Sequence, residues 1–283
     1  MHLLDTLLNV DQQAYIEFCN EKNRPWCPNG SISIFTYEQG EWALKQVPLT
    51  ADEYRQKYDP KTVHFCFLRH GETKFNAQER MQGVCDAPLT VTGIAQAEES
   101  RDALRSIHFD QCISSDLGRT LATAEVLCKG RNILIREEKR LWEVNFGCLE
   151  GTKISEDKEN IFRRFRTSDY TDVGGENMDM VMARIRPCLR EVIDAAEDGD
   201  RIMLVSHGNV YMILLQKLFG ISFDEVIAGS KKDGFNPIPN CGIFSFSWNT
   251  EKGFILDSLM VSAADFAKGK RYVRAKCWSR YLN

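Results

Sequence analysis

From Val63 onward two hydrophobic patterns alternate along the chain. Val63 to Leu68, Phe109 to Ser114, Asn132 to Arg136 and Arg201 to Val205 are short runs with the length and apolar content of buried strands. Between them, apolar residues recur at helical spacing. This is seen over Thr92 to Ser106, through Ile94, Ala97 and Leu104, and again over Leu117 to Leu127, Met178 to Ala196 and Val210 to Phe219. The polar, charged passage from Thr152 to Asp172 predicts a short helix, and Ile243 to Trp248 with Phe254 to Leu259 predict a closing hairpin. Strands alternating with helices predict an α/β fold, a mostly parallel sheet with helices on both faces.

Residues 1 to 62 read differently and form a separate N-terminal α+β extension. A helix is expected around Asp11 to Lys22, then a turn at Pro25 to Gly30. Ser31 to Tyr37 and Trp42 to Val47 are expected to pair as a hairpin about Gln39-Gly40. Thr50 with Glu53 resembles a capping box opening a second helix before Asp59-Pro60 breaks the chain. The expected division is therefore 1–62, a structural appendage or a lid, and 63–283, which holds all the candidate chemistry. The basic stretch from Lys268 to Arg280 has no assigned role.

Composition narrows the classes. The chain has 283 residues, 43% hydrophobic and 27% charged, which suits one large core or a main domain with an appendage. A net charge of -4 argues against general affinity for nucleic acid or an anionic membrane surface. With no leader-like start and no bilayer-length apolar run, the expectation is a cytoplasmic protein without a membrane or nucleic-acid partner, its oligomeric state left open. Ten cysteines spread through strands and helices without a CxxC pair predict reduced thiols. A zinc site at Cys19 and Cys27 lacks a second close ligand pair.

Open sheets of this kind bind ligands at the carboxyl ends of their strands, so the residues just past each strand carry the interest. After the first come Arg69, His70 and Gly71, where a turn is expected to exploit the freedom of glycine. A neutral imidazole can attack phosphorus, and guanidinium groups offer a fork of donors to phosphoryl oxygens. A lone histidine after a strand is more often a hydrogen-bonded core residue; its companions change that balance. Past the second strand lies Ser114-Ser115-Asp116-Leu117-Gly118-Arg119, with Ser115 or Asp116 as a helix cap and Arg119 near the helix start. Past a later one lies Ser206-His207-Gly208-Asn209. The run Leu141 to Gly151 supplies carboxylates for a proton donor. Glu143 is the candidate, with burial beside Trp142 and Phe146 expected to keep its carboxyl protonated, while Glu150 reads equally as a structural carboxylate on backbone amides.

Arg69-His70-Gly71-Glu72-Thr73, Asn76, Pro88-Leu89-Thr90 with Gly93 and Gln96-Ala97, Ser114-Ser115 with Arg119, Glu143 with Phe146-Gly147 and Leu149-Glu150-Gly151, Gly175-Glu176, and Ser206-His207-Gly208 together resemble the histidine phosphatase superfamily, phosphoglycerate-mutase-like branch. The resemblance runs from about Val63 to Trp248. It implies that His70 is a nucleophile forming a phosphohistidine. It further implies that Arg69, Arg119, His207 and Asn76 hold the phosphoryl group of a small phosphorylated substrate, and that Glu143 is acid and then base. No metal or organic cofactor is implied. Two departures stand out: Asn209 where the family often has glycine, and Asn177 where it has serine. Both are expected to alter the polarity of the pocket without touching the core set, and Asn209 joins the substrate-binding set.

The Glu-Arg-His-Tyr signature and long insertion of the cofactor-dependent mutases are missing, since the acid reads Trp142-Glu143-Val144-Asn145 and Gly175 follows soon after. A phosphomonoesterase is expected, with mutase-type transfer and a non-catalytic binding protein as alternatives. Arg163, Arg164 and Arg166 form either a second anion site over the pocket or a solvated basic face.

Overall fold

The structure, a computed structural model, describes residues 32–38, 41–50, 60–272 and 278–279. The chain separates into two compact units, Met1–Pro60 and Lys61–Asn283. In the first, β1 (Ile32–Glu38) and β2 (Glu41–Leu49) pair antiparallel with Glu38 opposite Glu41, which is the expected hairpin. The helix expected at Asp11 to Lys22, the turn at Pro25 to Gly30, the capping box at Thr50 and Glu53, and Cys19 and Cys27 fall wholly or partly outside the described residues.

The second unit runs β3 (Thr62–Arg69), α1 (Lys74–Ala77), α2 (Val91–Ala103), β4 (Gln111–Ser114), α3 (Gly118–Cys128) and β5 (Ile135–Glu137). It continues through α4 (Lys158–Thr167), α5 (Met178–Ala195), β6 (Arg201–Ser206), α6 (Gly208–Phe219) and α7 (Phe223–Asp233). It closes with β7 (Ile243–Asn249), β8 (Gly253–Val261), α8 (Ala263–Ala267) and β9 (Trp278–Ser279). The strands form one sheet in the order β5-β4-β6-β3-β7-β8-β9. The first four are parallel, and the closing hairpin and β9 add antiparallel neighbours beyond β3.

Alternation along β3 explains the two helical layers. Val63, Phe65 and Phe67 face a core shared with Val181, Ile185 and Leu189 of α5 and Leu214 and Leu218 of α6. Leu68 faces the opposite side and packs with Leu104, Ala124 and Leu127 around α2 and α3. Each fully buried aromatic or aliphatic side chain contributes about 1.5–3 kcal/mol, so the central strand is firmly anchored on both faces. Helix α7 escapes the apolar pattern because only Val226 and Ser230 of it are buried; its start is marked by the Ser222–Glu225 capping box.

The antiparallel neighbour matters for the site. Because β7 runs against β3, with Leu68 opposite Ile243, the loop entering β7 arrives at the same sheet edge as the carboxyl end of β3. Among the described residues no helix is long and apolar enough to cross a membrane.

Candidate active site

The ends of β3, β4 and β6 meet at this edge. His70 is 3% exposed, and its Nδ1 lies 2.8 Å from the carbonyl oxygen of Gly71. A carbonyl only accepts, so Nδ1 carries the hydrogen and Nε2 holds the lone pair. Burial, followed by the charges of Arg119 and Arg69, pushes the His70 pKa well below its ordinary 6.5, which keeps the ring neutral. His207, fully buried, stands 5.4 Å away between ring centroids and is depressed in the same way by burial, then Arg119 and His70. Its Nδ1 lies 3.1 Å from Nη2 of Arg119, a group that only donates, so Nε2–H donates to Ser115 Oγ at 3.0 Å.

Gly71 does not adopt the left-handed backbone that its position suggested, since it is not among the glycines with positive φ. What it supplies is thinness. A Cβ at Gly71 would overlap the Gly93 carbonyl, and one at Gly93 would overlap the Glu72 carbonyl, so two glycines let the turn after β3 lie directly on the first turn of α2.

Arg119, 1% exposed, is held by the carbonyls of Gly83 at 2.6 Å and Cys85 at 2.9 Å and by Asp86 Oδ1 at 3.0 Å. Arg69 donates from Nη1 to the Ile238 carbonyl at 2.6 Å. In both arginines Nε is buried without a protein partner, which leaves a donor for an incoming group. Gln82 adds another: its Oε1 accepts from Thr73 Oγ1 at 2.7 Å while its buried Nε2 has no partner. Asn76 Oδ1 accepts from Thr73 N and Asn240 Nδ2, both at 3.2 Å, which orients its amide. Asn240 also donates to the His70 carbonyl at 3.2 Å. Neither Gln82 nor Asn240 stood out in sequence. The signal for Asn240 is the Pro237–Gly242 turn at the start of a strand antiparallel to β3.

The helix cap expected from Ser115 or Asp116 is not formed. Leu117 occupies the N-cap of α3 with no side-chain bond. The Ser115 hydroxyl is taken by His207, Asp116 accepts from Trp142 Nε1, and Asp86 accepts the Arg119 backbone N–H at 3.4 Å in its place.

Glu143 is 6% exposed, as expected, but its carboxyl surroundings are not the apolar ones anticipated. Oε1 accepts the N–H groups of Val144 at 3.0 Å and Val210 at 3.2 Å, and Oε2 that of Asn209 at 3.1 Å. Two of these donors belong to the first turn of α6, whose free N–H groups and positive dipole end suit a carboxylate. Glu150 is the structural carboxylate, accepting backbone N–H from Val84 at 2.9 Å, Phe146 at 3.1 Å and Cys85 at 2.8 Å.

Asn209 contributes its backbone to Glu143, and its side chain has no hydrogen-bond partner among the described residues. Asn177 caps α5 through the N–H groups of Asp179 and Met180, so asparagine does there what serine would. The three arginines of α4 do not make an anion site. Arg164 is buried in a two-pronged pair with Asp172 at 2.6 and 2.8 Å, Arg166 reaches Asp224 at 2.9 Å, and Arg163 donates to Asn160 at 2.6 Å.

Two imidazoles and two guanidinium groups gathered past the strand ends of an α/β sheet are chemistry suited to phosphoryl transfer. Residues 65–256 match the family described as histidine phosphatase superfamily (branch 1), and the chain belongs to it. Over 159 residues it is 36% identical to a probable phosphoglycerate mutase, GpmB, of Salmonella paratyphi A, spanning 54% of this chain and 74% of that protein. A mycobacterial glucosyl-3-phosphoglycerate phosphatase solved with VO3 is 26% identical with a TM-score of 0.60, covering 70% of this chain and 99% of that one. A phosphoglycerate mutase from Bacillus anthracis str. Sterne, 23% identical with a TM-score of 0.61 over 76% of this chain and 100% of that one, shares the fold.

Proposed function

We propose that the protein is a phosphomonoesterase that hydrolyses a small phosphorylated metabolite through a phosphohistidine on His70. The observation that carries this reading is the state of His70: neutral, with Nδ1–H committed to Gly71 and the Nε2 lone pair free. In the first step Nε2 attacks phosphorus and the phosphorus–oxygen ester bond breaks, the departing oxygen taking a proton from Glu143. In the second, water attacks, the phosphorus–nitrogen bond breaks, and the Glu143 carboxylate takes the proton of water. Oε2, with one N–H donor against two on Oε1, is the oxygen better able to carry that proton. Arg69, Arg119 and Asn76 hold the phosphoryl group, joined by the amide of Gln82 and by His207 once its Nε2–H turns from Ser115 to a phosphoryl oxygen, and Asn209 belongs to the substrate-binding set.

Phosphoryl transfer of the mutase type is a second reading, favoured by the names of the relatives. Against it, Arg164 and Arg166 are engaged with Asp172 and Asp224, which leaves α4 poorly equipped to retain a second phosphate. The test is to quench the protein after brief exposure to a labelled phosphomonoester under alkaline conditions, which preserve phosphohistidine. Label is expected on His70 and absent from His70→Ala; label persisting in that variant overturns the assignment. Release of inorganic phosphate supports hydrolysis, and isomerised phosphoglycerate supports the mutase reading.

A further inference from the structure

The segment bearing Glu143 has no regular structure of its own; it spans residues 142–146 between two single 3-10 turns, Lys139–Leu141 and Gly147–Leu149. One side chain from α5 ties down its carbonyls at the start. Arg184 Nη1 donates to the carbonyls of Arg140 and Trp142, each at 2.8 Å, and Nη2 donates to the carbonyl of Glu143 itself at 3.0 Å. The remaining two donors grip Glu176, Nε on Oε1 at 3.0 Å and Nη2 on Oε2 at 2.9 Å. All five guanidinium N–H groups are thereby spent on protein, and none remains for a substrate. Glu176 completes the clasp, its Oε2 accepting Asn145 N–H at 3.0 Å and its own N–H donating to the Asn145 carbonyl at 2.9 Å. Helix α5 is a firm base, because Val181 and Ile185 on either side of Arg184 are fully buried.

We propose that Arg184 is a positioning residue for the leaving-group step, and Glu176 its support: together they set the height of the loop, so that the Glu143 carboxyl docks on the first N–H groups of α6 and stays aimed at the ester oxygen. This rests on the acid role proposed above for Glu143. A lysine can replace the arginine only in part, since a point ammonium cannot serve three carbonyls and a carboxylate in fixed directions.

The test combines single-turnover phosphohistidine formation with hydrogen exchange at the Asn209 and Val210 amides, which reports carboxyl docking whatever Glu143 does chemically. Displacement of an acid by about an ångström costs up to roughly a hundredfold in rate. Arg184→Met is therefore expected to slow transfer from a sugar phosphate by roughly tenfold to a hundredfold, and transfer from nitrophenyl phosphate, whose leaving group needs no proton, by less than about threefold. Added to Glu143→Gln, the same change should cost little more, because the two act on one step. Arg184→Lys should recover only part of the rate. Equal loss for both leaving groups, or full additivity with Glu143→Gln, overturns the proposal. If Arg184→Met does not fold, Glu176→Gln keeps the side-chain shape and is expected to show the same leaving-group selectivity in smaller measure. Should Glu143→Gln itself show no such selectivity, the acid assignment fails and exchange decides the tether: faster exchange at Asn209 and Val210 in Arg184→Met supports it, and unchanged exchange overturns it.

Discussion

His70 and His207 are held uncharged next to two guanidinium groups, and this has a measurable cost at low pH. An unfolded histidine takes up a proton near 6.5, whereas the folded ones do so only at markedly lower pH. Above 6.5 neither form is protonated and the pair is neutral to stability. Below it the unfolded chain binds protons that the folded one does not, so each histidine subtracts up to about 1.4 kcal/mol per pH unit until the depressed folded value is reached. Denaturant titrations should show stability falling from pH 6.5 to 5, and less steeply in His207→Gln. The proposed phosphohistidine formation should meanwhile keep its rate below pH 6.5, because the His70 ring is still neutral there. Glu143 is tested by leaving group: Glu143→Gln should slow transfer from sugar phosphates by roughly 100- to 10,000-fold and from nitrophenyl phosphate far less. Equal loss in single turnovers would make it a phosphate-positioning group.

Among the elements, the turn after β3 and the start of α2 are set by two residues without side chains. In an ordinary helix Gly→Ala gains about 1 kcal/mol. At Gly93 the new methyl would meet the Glu72 carbonyl, which also accepts the Thr90 N–H at 2.9 Å. Overpacking against backbone costs about 1–3 kcal/mol, so Gly93→Ala should lower the melting temperature despite its helix preference. It should also slow phosphohistidine formation by shifting Gly71, measurable against wild type in single turnovers. The first turn of α6 serves the site in a related way, with its free N–H groups docking a carboxylate from a distant loop. Neither arrangement is written in the local sequence, because each depends on which loop another element brings near.

For the molecule as a whole, the unit boundary gives a clean truncation. Lys61 N donates to Thr250 Oγ1 at 3.1 Å and Thr62 lies opposite Asn249, so a cut at residue 62 would remove the first rung of β3. A chain starting at Lys61 is expected to fold and to form the phosphohistidine. Soluble expression with a cooperative melt and label on His70 would show this, and an insoluble product would place residues 1–60 within the core. Much of this architecture was legible. The alternation of apolar runs and helical periods reported the parallel strands, and the residues past β3, β4 and β6 reported the cluster. What the pattern hid was non-local: the loop from Pro237 to Gly242, brought in by an antiparallel strand, the diversion of Ser115 from capping to His207, and the amides that seat Glu143. Periodicity records which face of an element is buried, not which neighbour will claim its polar groups.

The bond from His70 Nδ1–H to the carbonyl of the very next residue joins the imidazole to its own backbone turn. Histidine phosphate exists as two regioisomers with different lifetimes in water, and enzymes that pass phosphate through histidine must produce one of them reliably. Here the choice does not wait for substrate, partner or pH: the turn masks one nitrogen as soon as it forms. On the mechanism proposed above, phosphate on His70 is therefore expected on the nitrogen remote from the backbone, as the τ isomer alone.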